Sequence, residues 1–138
     1  MKLLLLLTVI GLSGCSIIMF FAQPYESNNL KVSDTTNTKM VFKCVESIIH
    51  NLDQSQKNWS TEVTLQDEQS GIIETGNFPE VNVVGFRLRV HHIKNINKIK
   101  IELKASGIYF TDLGVSDGMK ALKNNLSECL IIPAPSSN

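Results

Sequence analysis

The segment VVGFRLRVHHIKNINKIKIELKA, residues 83–105, contains two runs in which apolar and polar residues alternate. Because the side chains of a strand point alternately to its two faces, this pattern predicts two β-strands with one buried face each. The polar KNIN, residues 94–97, separates the runs and predicts a turn. The segment therefore predicts an antiparallel hairpin whose apolar residues face a core: Val84, Phe86, Leu88, Val90, Ile99, Ile101, Leu103 and Ala105.

The opposite face of this hairpin is predicted to be basic. Its candidate binding residues are Arg87, Arg89, His91, Lys98, Lys100 and Lys104. Since like charges on neighbouring strands repel, their clustering favours a site for an anionic partner. Lipid headgroups, lipopolysaccharide phosphates and an acidic protein all have this chemistry. The alternative is that Glu62, Glu74 and Glu102 neutralise the bases from neighbouring strands.

Two more strands and two helices complete the predicted fold. STEVTLQ (residues 60–66) and GIIETG (residues 71–76) have the short apolar patterns of strands. KMVFKCVESIIHNL (residues 39–52) and SDGMKALKNNLSECL (residues 116–130) repeat apolar residues at helical spacing. The predicted order is α-β-β-β-β-α, an α+β fold with a four-stranded antiparallel sheet and both helices packed on one face.

This layout, with GIIETGNF (residues 71–78) followed by FRLRV (residues 86–90), resembles BamC-like helix-grip domains. Those domains occur in lipoproteins of the outer-membrane β-barrel assembly machinery. The residues that carry the resemblance are Gly71, Glu74, Thr75, Gly76, Phe86, Arg87 and Arg89. It implies a fold and assigns no role to any residue.

The N-terminus has the layout of an export signal. MKLLLLLTVIGLSGC, residues 1–15, combines a basic start, an apolar run and small residues before a cysteine. LSGC, residues 12–15, resembles the lipobox of bacterial lipoproteins. The resemblance implies that the signal is cut before Cys15, that the thiol of Cys15 carries diacylglycerol, and that Ser16 directs the protein to the outer membrane rather than the inner membrane.

An alternative exists for the same segment. Residues 3–22 form an apolar run of about twenty residues, roughly the thickness of a bilayer. The run is therefore also consistent with an uncleaved signal anchor, or with the signal of a secreted protein.

The other two cysteines, Cys44 and Cys129, lie on the apolar faces of the two predicted helices. An even pair in an exported chain predicts one disulfide. Two separate buried thiols are the alternative. The spacing of the cysteines and histidines does not match a metal site, so neither a metal nor another cofactor is expected.

These features predict four segments. Residues 1–14 are the signal peptide, residues 15–38 a lipidated N-terminus with a flexible tether, residues 39–132 a single α+β domain, and residues 133–138 a polar tail. The tether is inferred from the polar composition of residues 23–38.

Composition and motifs limit the function. Thirteen acidic and thirteen basic residues balance, which is unlike the strong basic charge of nucleic-acid-binding proteins. The sequence carries no nucleophile, metalloprotease or phosphate-binding motif, so no catalytic residue is assigned. We expect a non-catalytic envelope lipoprotein that binds or scaffolds in the periplasm, anchored by its lipid and facing an envelope protein or anionic lipid. The alternative is an immunity or inhibitor lipoprotein that neutralises a toxin or hydrolase.

Overall fold

A computed structural model describes residues 24–56, 58–80, 84–105 and 114–131. These residues form five strands and two helices in an α+β arrangement. In chain order they are β1 (Tyr25–Lys31), α1 (Thr38–Gln56), β2 (Val63–Asp67), β3 (Ile72–Thr75), β4 (Arg87–Ile93), β5 (Lys98–Lys104) and α2 (Val115–Ile131).

The five strands form one antiparallel sheet in the order β1-β5-β4-β3-β2. The hairpin of β4 and β5 lies at its centre and is confirmed. Its turn, Lys94–Ile96, is a single 3₁₀ turn that ends at Asn97 in the left-handed conformation, with φ 48°. Leu88 lies opposite Leu103 and Arg89 opposite Glu102, so apolar and charged residues occupy separate faces.

The fifth strand, β1, was not expected. Residues 25–31 fall in the predicted flexible tether, and that prediction is wrong for this stretch. All seven residues of β1 pair with β5, and exposed and half-buried residues alternate along it. The backbone N–H of Ala105 extends the pairing to the carbonyl of Pro24, 2.9 Å away. The edge of β5 thus gains hydrogen-bonding partners that a tether would not supply.

Both helices pack on one face of the sheet, as expected. The inward residues of β5, Ile99 and Ile101 among them, are fully buried against the apolar stripes of α1 and α2. Val84 is the exception to the predicted pattern, because it is 78% exposed. The strand begins only at Arg87, and Gly85, at φ 95°, turns the backbone before it. The alternation therefore does not extend back to Val84.

Cys44 and Cys129 form the predicted disulfide, which joins α1 to α2. Their Cα atoms are 6.0 Å apart, within the range that a disulfide spans without backbone distortion. Cys44 is buried beside the apolar core, and Cys129 packs against it.

Several expectations fall outside the described residues. They concern the signal peptide, lipidation of Cys15 and the polar tail at residues 133–138. Among the residues that the structure does describe, neither helix is long and apolar enough to cross a bilayer.

Removing the disulfide tests its contribution to stability. The double variant Cys44→Ala/Cys129→Ala should lose about 4–5 kcal/mol of unfolding free energy, because the closed loop spans 85 residues and an open chain gains more entropy on unfolding. Urea titration followed by circular dichroism measures the loss. A reducing agent should lower wild-type stability by a similar amount and leave the double variant unchanged. Equal urea midpoints for oxidised and reduced wild type would contradict the disulfide.

Candidate functional site

The outer face of the sheet, on the side away from the helices, carries the basic residues singled out from the sequence. The pairing of β4 with β5 sets Arg87 opposite Lys104, His91 opposite Lys100, and Ile93 opposite Lys98. Arg89, between Arg87 and His91, shares their face. The six predicted residues therefore do lie on one face, but their surroundings divide them into two groups.

Arg87 is not exposed, contrary to the expectation that it contributes to an open binding surface. Residues 76–80 fold over the outer face at the start of β4, and Arg87 is completely buried beneath them. Its Nη1 donates a hydrogen bond to the carbonyl oxygen of Glu80. Gly76 allows this close approach, since a Cβ at its position would lie 2.4 Å from the Cβ of Ser60 and 3.0 Å from the Cγ of Arg87. Arg87 is thus a structural residue that secures the loop.

Phe78, at the centre of this loop, is 2% exposed, and its ring contacts two cations. The guanidinium carbon of Arg89 is 4.4 Å from the centre of its ring, and the ammonium of Lys104 is 4.5 Å away. Lys104 also donates a hydrogen bond from Nζ to the carbonyl oxygen of Phe78, at 3.0 Å. Burial lowers the pKa of Lys104, and the nearby charges of Arg87 and Arg89 lower it further. Cation–π contact with Phe78 therefore occupies two of the predicted binding residues.

Two acidic residues neutralise much of the remaining charge. Glu74 accepts a hydrogen bond from Nε of Arg89 at 2.5 Å. Glu102 lies 3.1 Å from the ammonium of Lys100 and accepts a hydrogen bond from the hydroxyl of Tyr25 at 2.7 Å. Burial alone would raise the pKa of Glu102, but the hydrogen bonds from Tyr25 and Lys100 outweigh it and leave the pKa lowered. Neutralisation by Glu74 and Glu102, one of the two sequence interpretations, thus accounts for this half of the face.

The other half of the face keeps an excess of positive charge. Lys31 and Lys98 lie directly opposite each other on β1 and β5. Within the described ranges, no acidic side chain forms an ion pair with either lysine. Lys100 and His91 are the next pair along the same face. We refer to Lys31, Lys98, Lys100 and His91 as the distal basic patch, because it lies at the end of β1 farther from Pro24.

Lys31 was missed by the sequence analysis, since it falls in the segment expected to be a tether. The sequence signal for a strand here was the alternation of residues along YESNNLK, residues 25–31. Only Leu30 among these residues is both apolar and packed against the core, so the pattern is weak. The partner strand β5 was recognisable, but sequence alone does not show which segment pairs with its free edge.

His92 lies on the opposite face from His91 and is 3% exposed. Its Nδ1 is 3.1 Å from the hydroxyl of Thr38 at the start of α1. Burial lowers the pKa of His92, and the charges of Lys94 and His91 lower it further. The ring is held by packing and by one hydrogen bond.

A polar groove of about 490 Å³ opens beside His92 and is also lined by Asp34 and Glu68. No hydrogen bond among the described residues joins the His92 ring to either carboxylate. Nor do the described parts of the chain contain three metal-ligating side chains grouped around one point. The groove therefore brings a histidine near two acids without the hydrogen-bonded geometry that a general acid–base pair requires. The absence of catalysis and the immunity or inhibitor role both stay predictions.

No family model matches the chain, and no curated protein matches it. Among solved structures it is similar to a DUF4468 family protein from Bacteroides ovatus, with 9% sequence identity and a TM-score of 0.42. The match covers 83% of this chain and 90% of that chain. This similarity is too low to assign a family or a function, so the resemblances to bacterial lipoproteins and to helix-grip domains stay predictions.

Truncating Phe78 tests whether the loop at residues 76–80 is held by its buried ring. Phe78→Ala should lower the unfolding free energy by about 3–4 kcal/mol, because it leaves a cavity above β4 and removes both cation–π contacts. Chemical denaturation measures the change. Ile96→Ala is the control, since Ile96 is 57% exposed in the hairpin turn and its truncation should cost less than about 0.5 kcal/mol. Equal losses for both variants would contradict the packing described for Phe78.

The buried ring of His92 predicts a loss of stability in mild acid. The unfolded chain binds a proton at His92 near its ordinary pKa of about 6.5, whereas the folded state resists protonation because its pKa is lowered. Stability is therefore fully present above about pH 7 and decreases as the pH falls through 6.5 towards the folded pKa. Unfolding measured at pH 7.5 and pH 5.5 should show this decrease.

The variant His92→Gln should show a smaller pH dependence over the same interval, since glutamine does not titrate there. His50→Gln is the matched control, because His50 is exposed on α1. Lowered carboxylate pKa values, such as those of Asp67 and Glu102, affect stability only at lower pH, below about 5. A pH dependence that is lost in His50→Gln and kept in His92→Gln would contradict the assignment.

Proposed function

We propose that this protein is a bacterial envelope lipoprotein, lipidated at Cys15 and anchored to the outer membrane on its periplasmic side. Its folded domain acts as a non-catalytic binding or scaffolding module. The binding surface is the outer face of the sheet, and its available charge is the distal basic patch.

The disulfide between Cys44 and Cys129 is the strongest support for this proposal. Disulfides persist in oxidising compartments, such as the bacterial periplasm, and are rare in the cytosol. An export signal that ends in LSGC would deliver the chain to that compartment. The disulfide and the signal are independent features of the chain, and both favour an envelope protein.

The position of β1 supports a short connection to the membrane. The strand pairing begins at Pro24, whose carbonyl is already bonded to Ala105. Nine residue steps separate Cys15 from Pro24, a reach of at most about 30 Å. The folded domain would therefore be held within about one domain diameter of the bilayer. This geometry favours a role at the membrane surface over one that requires long reach across the periplasm.

Replacing the proposed lipidation site tests the anchor. Cys15→Ala should prevent attachment of diacylglycerol and shift the protein from the membrane fraction, because the remaining contacts lack the two or three acyl chains that give stable anchoring. Membrane fractionation, together with the intact mass of the wild-type protein, measures both effects. Ser16→Ala is the control and should remain lipidated and membrane-bound.

A Cys15→Ala protein that stays in the membrane fraction would show that the apolar run at residues 3–22 is itself the anchor. An unmodified thiol at position 15 in the wild-type protein would likewise contradict the proposal.

A further inference from the structure

We infer that the part of the outer face left uncovered by residues 76–80 lies on the anionic surface of the membrane that holds the anchor, with the distal basic patch against phospholipid headgroups. The inference rests on the proposed function, because it requires the lipid at Cys15. It adds the partner of the outer face and the orientation of the domain, neither of which follows from anchoring alone.

The first argument is the unpaired charge. Lys31 and Lys98 are direct neighbours across β1 and β5, an arrangement that is unfavourable unless an anion lies between or beside them. Lys31 is exposed and Lys98 half-buried, and no described acidic residue forms an ion pair with either lysine. Phosphate groups of a membrane would neutralise both lysines, which lie beside the ion pair of Lys100 with Glu102.

The second argument is the distribution of charge over the whole domain. Beyond Cys15 the chain has thirteen acidic and twelve basic residues, because only Lys2 precedes it among the charged residues. The outer face nevertheless carries more bases than acids. The two helices on the other side carry four bases and four acids and are neutral overall. An anionic bilayer therefore attracts the outer face more strongly than the neutral helix side, and this difference favours the proposed orientation.

The third argument is the place where the chain meets the sheet. Pro24 precedes β1, which is an edge strand of the outer face, and Tyr25 is 49% exposed there. Six residue steps separate Tyr25 from Lys31, about 20 Å along the strand. A connection of up to about 30 Å lets both ends of β1 reach the same headgroup plane. Leu65, 42% exposed, adds an apolar side chain on β2, where it pairs with Glu74.

The test measures lysine accessibility in the full-length lipidated protein. The protein is reconstituted in nanodiscs of phosphatidylcholine, and separately in nanodiscs of equal parts phosphatidylcholine and phosphatidylglycerol. Acetylation with an amine-reactive reagent, followed by mass spectrometry, gives a rate for each lysine. Lys43 and Lys120, exposed on the two helices, serve as internal controls.

If the domain docks, acetylation of Lys31 and Lys98 should be at least about fivefold slower in the anionic discs. Each lysine near an anionic surface strengthens membrane binding by about the same factor, and a docked lysine is shielded from the reagent. The controls should react at the same rate in both discs. High salt should remove the difference, because it screens the attraction. Equal rates for Lys31 and Lys98 in the two kinds of disc would overturn the inference.

Two double variants test whether docking depends on the distal basic patch or only on the total positive charge of the domain. Lys31→Gln/Lys98→Gln should restore rapid labelling of Lys100 in the anionic discs, because docking is lost. Lys43→Gln/Lys120→Gln removes the same charge from the helix side and should leave Lys100 protected. If both double variants behave alike, the distal basic patch does not direct docking.

The intact mass of the reconstituted protein distinguishes the two proposals. A lipidated protein whose lysines react equally in both discs leaves the proposed function standing and rejects docking. A free thiol at Cys15 removes the anchor and rejects both.

Discussion

The pairing of β4 with β5 is the constraint on which the other elements depend. In this register the inward residues, such as Leu88 and Leu103, meet on one face, and Arg89 meets Glu102 on the other. Both helices bury their apolar stripes against this apolar face. They therefore lie on the same side of the sheet, where Cys44 meets Cys129. No helix packs on the charged face, which is extended by the edge strands and covered in part by residues 76–80. The separation of the core from the charged face thus follows from the alternation of two short strands.

The parts of the fold that local pattern specifies were predictable. The hairpin and the apolar stripes of both helices follow from spacings of two or about 3.6 residues. The disulfide follows from an even pair of cysteines on those stripes in a chain with an export signal. β1 was not predictable in the same way, because YESNNLK contains few apolar residues and gains its structure from the free edge of β5. Its strand conformation is decided by pairing with residues 67 to 79 positions away, which no local window includes.

The candidate site was predictable in its composition and not in its electrostatics. Alternation placed the arginines, lysines and His91 on one face. It could not show that residues 76–80 return over that face, bury Arg87 and place the Phe78 ring against Arg89 and Lys104. Such coverage depends on the path of a loop, and only Gly76 marks the close approach in the sequence. The surviving charge therefore lies at the opposite end of the face, where Lys31 adds a residue that the tether interpretation had hidden.

The seven-residue pairing of β1 with β5 also has a mechanical consequence. A pull on the polypeptide at Pro24, opposed by a load held at the far end of the sheet, acts along the strand axis. The ladder between the two strands is then sheared, and its hydrogen bonds share the force instead of breaking one after another. A load between the anchor proposed at Cys15 and the rest of the domain would thus act along the strand axis, the direction in which the pairing of β1 with β5 best resists separation.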